Sequence, residues 1–498
     1  MRMARPQQPA GEPGPLRTWP AVASAMAMAT AVAVVLVALL LLGWLASTTV
    51  GFAIAREGAQ ARSAFAKGTS PWTWTFRGPD DLVASRVFGD GELIDIAGRS
   101  LLSNPRLKSQ ISIVSTAGGA IEFGLPLTRM PHLRELPMFH FDASATATGT
   151  YGISVRETLT SDPVVASLGS LPGNGLVRTF RLDQLAWVDR HGQAVSMPDG
   201  IAMLRLSVTL PAREILTLNS ASLAPEPGGP QPSTVPLPAH ASAEDLLTWR
   251  DASRKHSSLV IFGNAPPLGP APPWRRWVIP ILYVLLFLVV SRRVRPEDPS
   301  DRLGAVLCAL LVLAGPVWFI ASLAFSAHPT LLDSSMFLLG VAFAVRQVVS
   351  DRSLRFRWIG DWRRAAWPLI AVVVTGLLAA SVGHAPVWPP VTRALTYVAW
   401  ACFQQWLMLA VACTLFDRAL PRPVAVLVTA LAFALLHTPN GLLMQLCFLA
   451  ELGWAWWFLR HRALLPVAVA HAASALLLQA CVAGGALRSL EVSARFLN

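Results

Sequence analysis

The chain has 498 residues, of which 53% are hydrophobic and only 14% are charged, and its mean hydropathy is +0.48. This composition excludes a soluble enzyme, because a water-exposed surface needs a larger charged fraction. The formal net charge is +12, but much of the basic excess lies in short connections between apolar runs, where it sets membrane topology. We therefore expect a multi-pass membrane protein that binds the lipid bilayer and no nucleic acid.

The first apolar run predicts a membrane anchor. Residues 1–17 form a tail with several arginines, and no charged residue occurs between Thr18 and Ala55. A signal peptide has the same order of charges, but its apolar core is about 7–15 residues. Residues 18–55 are therefore interpreted as an uncleaved anchor helix, while small residues near Ala46 leave cleavage open as an alternative.

Residues 56–223 predict an all-β domain. Short stretches such as Leu204, Leu206 and Val208 alternate with polar residues and are separated by turn residues, which is typical of half-buried strands in a sandwich. None of the five cysteines lies in this block, so a disulfide framework is excluded there. The strand pattern weakly resembles jelly rolls that present loops to a sugar or a protein, and we expect a ligand of one of those kinds. Residues 224–275 are rich in proline and are predicted to be a linker with at most one short helix, near Ala243 to Arg250.

The remaining chain predicts eight further membrane helices. Their approximate limits are 277–291, 303–325, 331–345, 365–383, 394–416, 423–437, 441–459 and 463–483. With the anchor this gives about nine spans, in an α-helical membrane bundle that carries the β-sandwich as an insertion. We divide this part into membrane helices at 276–393, a core at 394–483 and a tail at 484–498.

Arginine positions predict the orientation. Every second loop is rich in arginine, and the loops between them contribute only Arg393. Lys and Arg near membrane ends stay on the cytoplasmic side, so we expect a cytoplasmic N-terminus and a periplasmic β domain and C-terminus. Few lysines and many arginines and alanines suggest a GC-rich bacterial genome, and hence a bacterial inner membrane.

A small set of polar residues lies inside the predicted spans, where each one is costly. Gln404 and Gln405 lie near the middle of one span, and Glu451 lies at the centre of another. His437 and His471 lie on two further helices. Three ionisable groups in one bundle exceed what helix packing needs, so these five residues are the candidate catalytic set. Neighbouring positions complete the candidate site, with Asn440 and Ser474 as substrate or oxyanion donors and Phe433 as a packing residue one turn before His437.

These residues carry a resemblance to a known family. The segment Phe433-Ala-Leu-Leu-His437 and the segment from Gly453 to His471 resemble two motifs of the CAAX protease and bacteriocin-processing enzymes, which are intramembrane endopeptidases. The resemblance covers residues 395–483. It implies that the first Glu of a Glu-Glu pair activates water, and that the histidines and an Asn position this water and stabilise the oxyanion. It also implies that the substrate is a membrane or envelope protein.

Two motifs depart from the family pattern. Gln404 and Gln405 stand where the family has Glu-Glu, and Ala475 stands where it has Asn. Because an amide cannot take a proton from water, three readings stay open. Glu451 could supply the carboxylate, a histidine could itself be the base, or the chain could be an inactive relative that serves as a scaffold or sensor in envelope assembly. Transport is less favoured, because no inverted repeat is evident.

The two histidines and Glu451 could also form a metal centre. Two histidines and one glutamate are a known zinc ligand set, but the compact His-Glu-x-x-His spacing is missing from the sequence. We therefore predict no metal and no cofactor, with zinc as the alternative that the sequence leaves open.

Overall fold

The computed structural model describes residues 19–78, 81–94, 111–173, 176–264, 274–293, 301–323, 330–360 and 366–497. The predicted cytoplasmic tail, residues 1–17, lies outside this part of the chain, as do residues 265–273 of the predicted linker. The chain divides into two compact units. One contains most of the apolar helices and the other contains the β region, and each is described by itself.

The β region is a sandwich of two antiparallel sheets. Its strands are β1 (Thr73–Trp74), β2 (Val87–Gly89), β3 (Gly91–Ile94), β4 (Ile111–Ser115), β5 (Ala120–Leu125), β6 (Met138–Ala145), β7 (Gly149–Arg156), β8 (Val164–Leu171), β9 (Leu176–Arg181), β10 (Trp187–Val188), β11 (Ala194–Val195), β12 (Met203–Thr209) and β13 (Ile215–Ala224). One sheet has the order β3-β4-β13-β6-β9, with β1 paired to β13, and the other has the order β11-β10-β8-β7-β12-β5-β2. Short 3₁₀ turns occupy Val83–Ser85 and Leu182–Gln184.

One hydrophobic core joins the two sheets. Along β12 buried and half-buried residues alternate, and Leu204, Leu206 and Val208 are fully buried as their period of two predicts. They pack in one cluster with Phe139 and Phe141 of the opposite sheet. Burying such a side chain stabilises the fold by about 1.5–3 kcal/mol, so this cluster dominates the stability of the sandwich.

The segment predicted as a linker contains regular structure. It includes β14 (Ser233–Val235), helix α2 (Ala243–Arg254) and β15 (Val260–Phe262), and β14 pairs in parallel with β15. Ser242 caps α2 by accepting a hydrogen bond from the backbone N–H of Asp245 at 3.1 Å. Leu246 and Leu247 are buried, so the apolar face of α2 is packed.

The apolar helices confirm a membrane protein. They are α1 (Trp19–Ala66), α3 (Arg275–Arg293), α4 (Arg302–Leu323), α5 (Leu331–Ser350), α6 (Ile370–Val382), α7 (Val391–Gln405), α8 (Thr414–Ala419), α9 (Arg422–Leu435), α10 (Gly441–His461) and α11 (Leu465–Cys481), with a short α12 (Ala494–Leu497) and a 3₁₀ turn at Arg352–Leu354. The predicted fold class, a helical membrane bundle with a β-sandwich, is thereby confirmed.

The number of spans stays a prediction. In the described part of the chain, the helical stretches long and apolar enough to cross a membrane are Met26–Ala66, Arg302–Ile320, Leu331–Ser350, Val391–Ala419 and Gly441–His461. Four more apolar helices are shorter, at Trp277–Arg292, Ile370–Val382, Arg422–Leu435 and Leu465–Cys481. A helix of this shorter kind crosses only where the bilayer is thin or flanking residues extend it.

Candidate active site

An irregular helix places the first candidate residue. Helix α7 ends at Gln405, a π-helical segment runs from Trp406 to Cys413, and α8 continues to Ala419. The hydroxyl of Thr414 donates to the carbonyl oxygen of Leu409 at 3.1 Å, five residues back, as the wider π turn allows. This break in helical phase follows directly after Gln405, whose side chain is fully buried.

The Gln405 amide joins two ionisable side chains. Its Nε2 donates to Glu451 Oε2 at 3.2 Å and lies 3.2 Å from His471 Nδ1. A primary amide has two N–H donors, so one is available for each acceptor. Residues from α7, α10 and α11 therefore meet at one point, and the carboxylate of Glu451 reaches the histidine through a single side chain.

Aromatic rings hold the His471 imidazole from several sides. The ring of Phe433 meets it edge to face at a centroid distance of 5.4 Å, and the ring of Trp454 lies 5.6 Å away. Tyr397 approaches at 6.4 Å. Rings packed in this way restrict rotation of the imidazole, because aromatic pairs favour defined geometries.

Phe433 also contacts the second histidine. Its ring lies 4.8 Å from the ring of His437, and its carbonyl oxygen lies 2.8 Å from His437 Nδ1. A carbonyl oxygen only accepts, so Nδ1 carries the proton and Nε2 of a neutral His437 keeps its lone pair. The ring of Phe433 thus contacts both histidines.

A tight turn fixes α10 against α11. Arg462 ends α10 in a left-handed conformation with φ of 53°, and its guanidinium donates to Thr414 Oγ1 at 2.7 Å and to the carbonyl oxygen of Ser353 at 2.6 Å. Pro466 then opens α11 in its first turn. Glu451 and His471 are therefore carried on two helices whose connection is itself anchored.

Asn440 caps α10. Its side-chain oxygen accepts from the backbone N–H of Leu443 at 3.2 Å, and its Nδ2 donates to the carbonyl oxygen of Ser489 at 2.7 Å. These contacts are those of a helix N-cap. They give the residue a structural task, and its expected contact with substrate stays a prediction.

Three buried polar atoms at the site have no hydrogen-bond partner among the described residues. They are Gln405 Oε1, Glu451 Oε1 and Ser474 Oγ. Ser474 lies one turn after His471 on α11, on the same helical face. Unpaired polar atoms inside an apolar bundle are costly, and their concentration here marks a place where a polar ligand would be stabilised.

Gln404 behaves differently from its neighbour. Its side chain is half-buried, and within the described residues it makes no hydrogen bond. Neighbouring helical positions are about 100° apart around the axis, so Gln404 and Gln405 lie on different faces.

A metal ion would need several ligands from the residues around the two histidines. Across the described residues no group of three or more His, Cys, Asp or Glu side chains is placed to hold a metal ion. Nδ1 of His471 contacts the Gln405 amide, and Nδ1 of His437 contacts the Phe433 carbonyl oxygen.

Comparison with known proteins adds a family to this geometry. A family model described as "Type II CAAX prenyl endopeptidase Rce1-like" matches residues 386–477. We call residues 386–477, which are similar to this family, the Rce1-like region. The match confirms the resemblance read from the sequence and supports a protease of the membrane-embedded type at family level. The Rce1-like region includes all eight candidate residues, from Gln404 to Ser474.

Comparisons with curated proteins and with solved structures assign no function to the chain. No curated protein matches the sequence. Solved structures with partial similarity include the Family 11 Carbohydrate-Binding Module from Clostridium thermocellum, with 9% identity over 28% of this chain and 84% of that chain and a TM-score of 0.20. An exo-beta-agarase has 15% identity over 35% of this chain and 25% of that chain, with a TM-score of 0.21. At such TM-scores neither similarity assigns a ligand, and the sugar or protein ligand of the β domain stays a prediction.

Two residues of the site were not among the sequence candidates. Trp454 follows Glu451 by three positions and Tyr397 precedes Gln405 by eight, so both lie near the same helical faces as those polar residues. Both residues could have been predicted by counting helical turns from the polar residues of the Rce1-like region.

Proposed function

We propose that the chain is an intramembrane endopeptidase of a bacterial inner membrane that hydrolyses a peptide bond in a membrane or envelope protein. The observation that supports it best is the contact of the Gln405 amide with Glu451 and His471, each at 3.2 Å, inside the Rce1-like region. The resemblance leads us to expect a carboxylate on the helix of Gln404 and Gln405. Glu451 of α10 supplies one beside that helix.

In this proposal Glu451 is the general base. Its Oε2 accepts from Gln405, so Oε1, which has no partner among the described residues, is the oxygen that takes a proton from water. Water attacks the scissile carbonyl carbon as its proton passes to Glu451. A general base of this kind contributes about 10²–10⁴ in rate.

His437 and His471 take different parts. His437 donates a hydrogen bond from Nδ1 to the Phe433 carbonyl oxygen, so Nε2 keeps its lone pair. This lone pair accepts a hydrogen bond from the second O–H of the water and so orients the water. His471 accepts a hydrogen bond from Gln405 at Nδ1, so a neutral ring carries its proton on Nε2. This Nε2–H donates a hydrogen bond to the oxyanion and keeps its proton. The Ser474 hydroxyl is a second donor.

The proton balance closes on the leaving group. When the tetrahedral intermediate collapses, the C–N bond breaks and Glu451 gives its proton to the leaving amine. The products are a carboxylic acid and an amine, and Glu451 returns to its charged form. The acid then passes its own proton to the amine, which leaves a carboxylate and an ammonium group. Gln405 holds Glu451 and His471 in place throughout, and Asn440 fixes the start of α10.

We place the β-sandwich and the C-terminus in the periplasm, because arginine-rich loops alternate with arginine-poor ones along the helices. There the β domain would capture or present the substrate.

The test compares membranes from cells that express the wild type, His437→Ala, His471→Ala and the control His191→Ala, whose imidazole is exposed on the β-sandwich. Mass spectrometry scores envelope peptides with new termini. We expect wild-type-dependent fragments to disappear in the two site variants and to persist in the control. Fragments that persist in all variants, or that never depend on the protein, would refute the protease and favour the scaffold.

A further inference from the structure

Three arginines surround one carboxylate in the unit that holds the β-sandwich. Arg129 follows β5, and Arg250 and Arg254 lie on α2. Arg254 forms an ion pair with Glu57 of α1, while Arg250 Nη1 lies 4.0 Å from Glu57 Oε2. Arg250 also pairs with Asp251, at 2.8 Å between Nη2 and Oδ1. We call Arg129, Arg250 and Arg254 the arginine cluster.

Two guanidinium groups of the cluster have buried N–H donors without an acceptor. Arg129 Nη2 and Arg254 Nε are buried and make no hydrogen bond to the described residues. Within the same residues Arg129 forms no ion pair. It lies instead over the ring of Trp72, with its guanidinium carbon 4.6 Å from the centroid, and Arg254 lies 5.3 Å from the ring of Phe262. Flat aromatic faces hold the guanidinium planes without taking their donors.

The charges of the cluster leave it positive. Three guanidinium groups face the carboxylates of Glu57 and Asp251, so one positive charge is uncompensated. Burial lowers the pKa of Arg129 to about 10, and the positive charges of Arg254 and Arg250 add to that effect, while Glu57 opposes it. An anion placed beside Arg129 would remove this repulsion.

We propose that the arginine cluster binds a phosphate group, held by Arg129 Nη2 and Arg254 Nε. Guanidinium groups bind phosphate oxygens through charge-assisted hydrogen bonds, and the several oxygens of a tetrahedral phosphate can accept from donors on separate elements, here the loop after β5 and α2. The phosphate group comes either from solution or from a lipid headgroup. The headgroup is one source because the uncharged run of α1 ends at Ala55, two residues before Glu57.

The test uses the full-length protein in dodecyl maltoside micelles, which contain no phosphate. In one arm inorganic phosphate is titrated and the heat of binding is measured. In the other arm phosphatidylglycerol is added to the micelles, and the lipid retained after purification is counted by mass spectrometry. The variants are Arg129→Gln and the matched control Arg134→Gln, which removes an exposed arginine five residues along the same loop.

We expect Arg129→Gln to weaken binding by about 10- to 100-fold, as the loss of a charge-assisted hydrogen bond does, and Arg134→Gln to leave it unchanged. Variant-sensitive binding of inorganic phosphate supports a site open to soluble phosphate. Variant-sensitive retention of phosphatidylglycerol alone supports a headgroup site. Binding of neither probe by the wild type, or equal loss in both variants, overturns the proposal.

A second variant guards against misfolding. Arg129→Lys keeps the charge over Trp72 but has no planar fork, so a phosphate held by Nη2 should bind it more weakly than it binds the wild type. If Arg129→Gln fails to fold, Arg129→Lys decides the matter, and wild-type affinity in that variant contradicts the proposal.

Discussion

Replacing Glu451 by glutamine isolates the proposed base. The carboxylate is fully buried and Oε2 accepts from Gln405 at 3.2 Å. Glutamine has the same shape, and its amide oxygen can accept the same hydrogen bond, so packing and the contact with Gln405 are kept while proton acceptance is lost. We expect the rate of peptide-bond cleavage to fall by about 10²–10⁴, the usual contribution of a general base.

The structure also offers a rescue. Because Gln405 lies between Glu451 and His471, the double variant Gln405→Glu, Glu451→Gln moves the carboxylate by one hydrogen bond and keeps it beside the imidazole. We expect this double variant to recover part of the activity that Glu451→Gln loses. The half-buried neighbour offers a control, since Gln404→Ala should cleave at nearly the wild-type rate.

The assay is the initial rate at which a protein-dependent envelope fragment appears in isolated membranes, normalised to folded protein. Wild-type activity in Glu451→Gln would refute Glu451 as the base and leave a histidine in that role. A double variant no better than Glu451→Gln would show that the carboxylate works only from α10.

Three further predictions follow from other contacts. Removing the α10 cap with Asn440→Ala should lower the free energy of unfolding by about 0.5–2 kcal/mol, which a thermal melt in detergent would detect as a lower midpoint, whereas an unchanged midpoint would count against the cap. Both ring nitrogens of the exposed His384 lie 2.8 Å from carbonyl oxygens, those of Ala385 and Ala483, and these hydrogen bonds raise the pKa of His384. The protonated imidazole therefore stabilises the folded state fully below the pKa of the unfolded chain, and this stabilisation is lost as the pH rises through the pKa of the folded state. The melting midpoint of the wild type should therefore drop more between pH 5.5 and 8 than that of His384→Gln, and equal drops would argue against the linkage. Treatment with a strong metal chelator should leave fragment formation unchanged, and loss of cleavage that zinc restores would instead indicate a metal centre.

Much of the fold follows from sequence periodicity. The alternation at Leu204, Leu206 and Val208 predicts a strand with one buried face, and β12 has that pattern because β7 and β5 flank it and the opposite sheet covers it. The proline-rich segment allows one short helix near Ala243 to Arg250, where α2 lies, but its proline density gives no sign of the paired β14 and β15. Their apolar residues are few and lie far apart in the chain, so their partners become visible only in three dimensions.

The site divides in the same way. The sequence predicts that the helix of Glu451 neighbours the histidines. In the structure Glu451 accepts from Gln405, whose amide also contacts His471. The sequence does not show which of Gln404 and Gln405 faces the site. The orientation of the helix after these residues depends on a π segment, which the spacing of apolar residues does not reveal. The Asn440 cap was within reach, since Asn directly before a helical run is a common N-cap signal.

The π segment has a consequence for how this helix can change over evolution. Trp406–Cys413 follows Gln405 without interruption, and its turns hold more residues than α-helical ones. A π turn closes around one residue more than an α turn, so deleting a single residue there would let the helix return to α geometry with little rotation of one half against the other. Gln405 would then keep its contacts with Glu451 and His471. Related chains should therefore tolerate a one-residue deletion within this segment better than within α7.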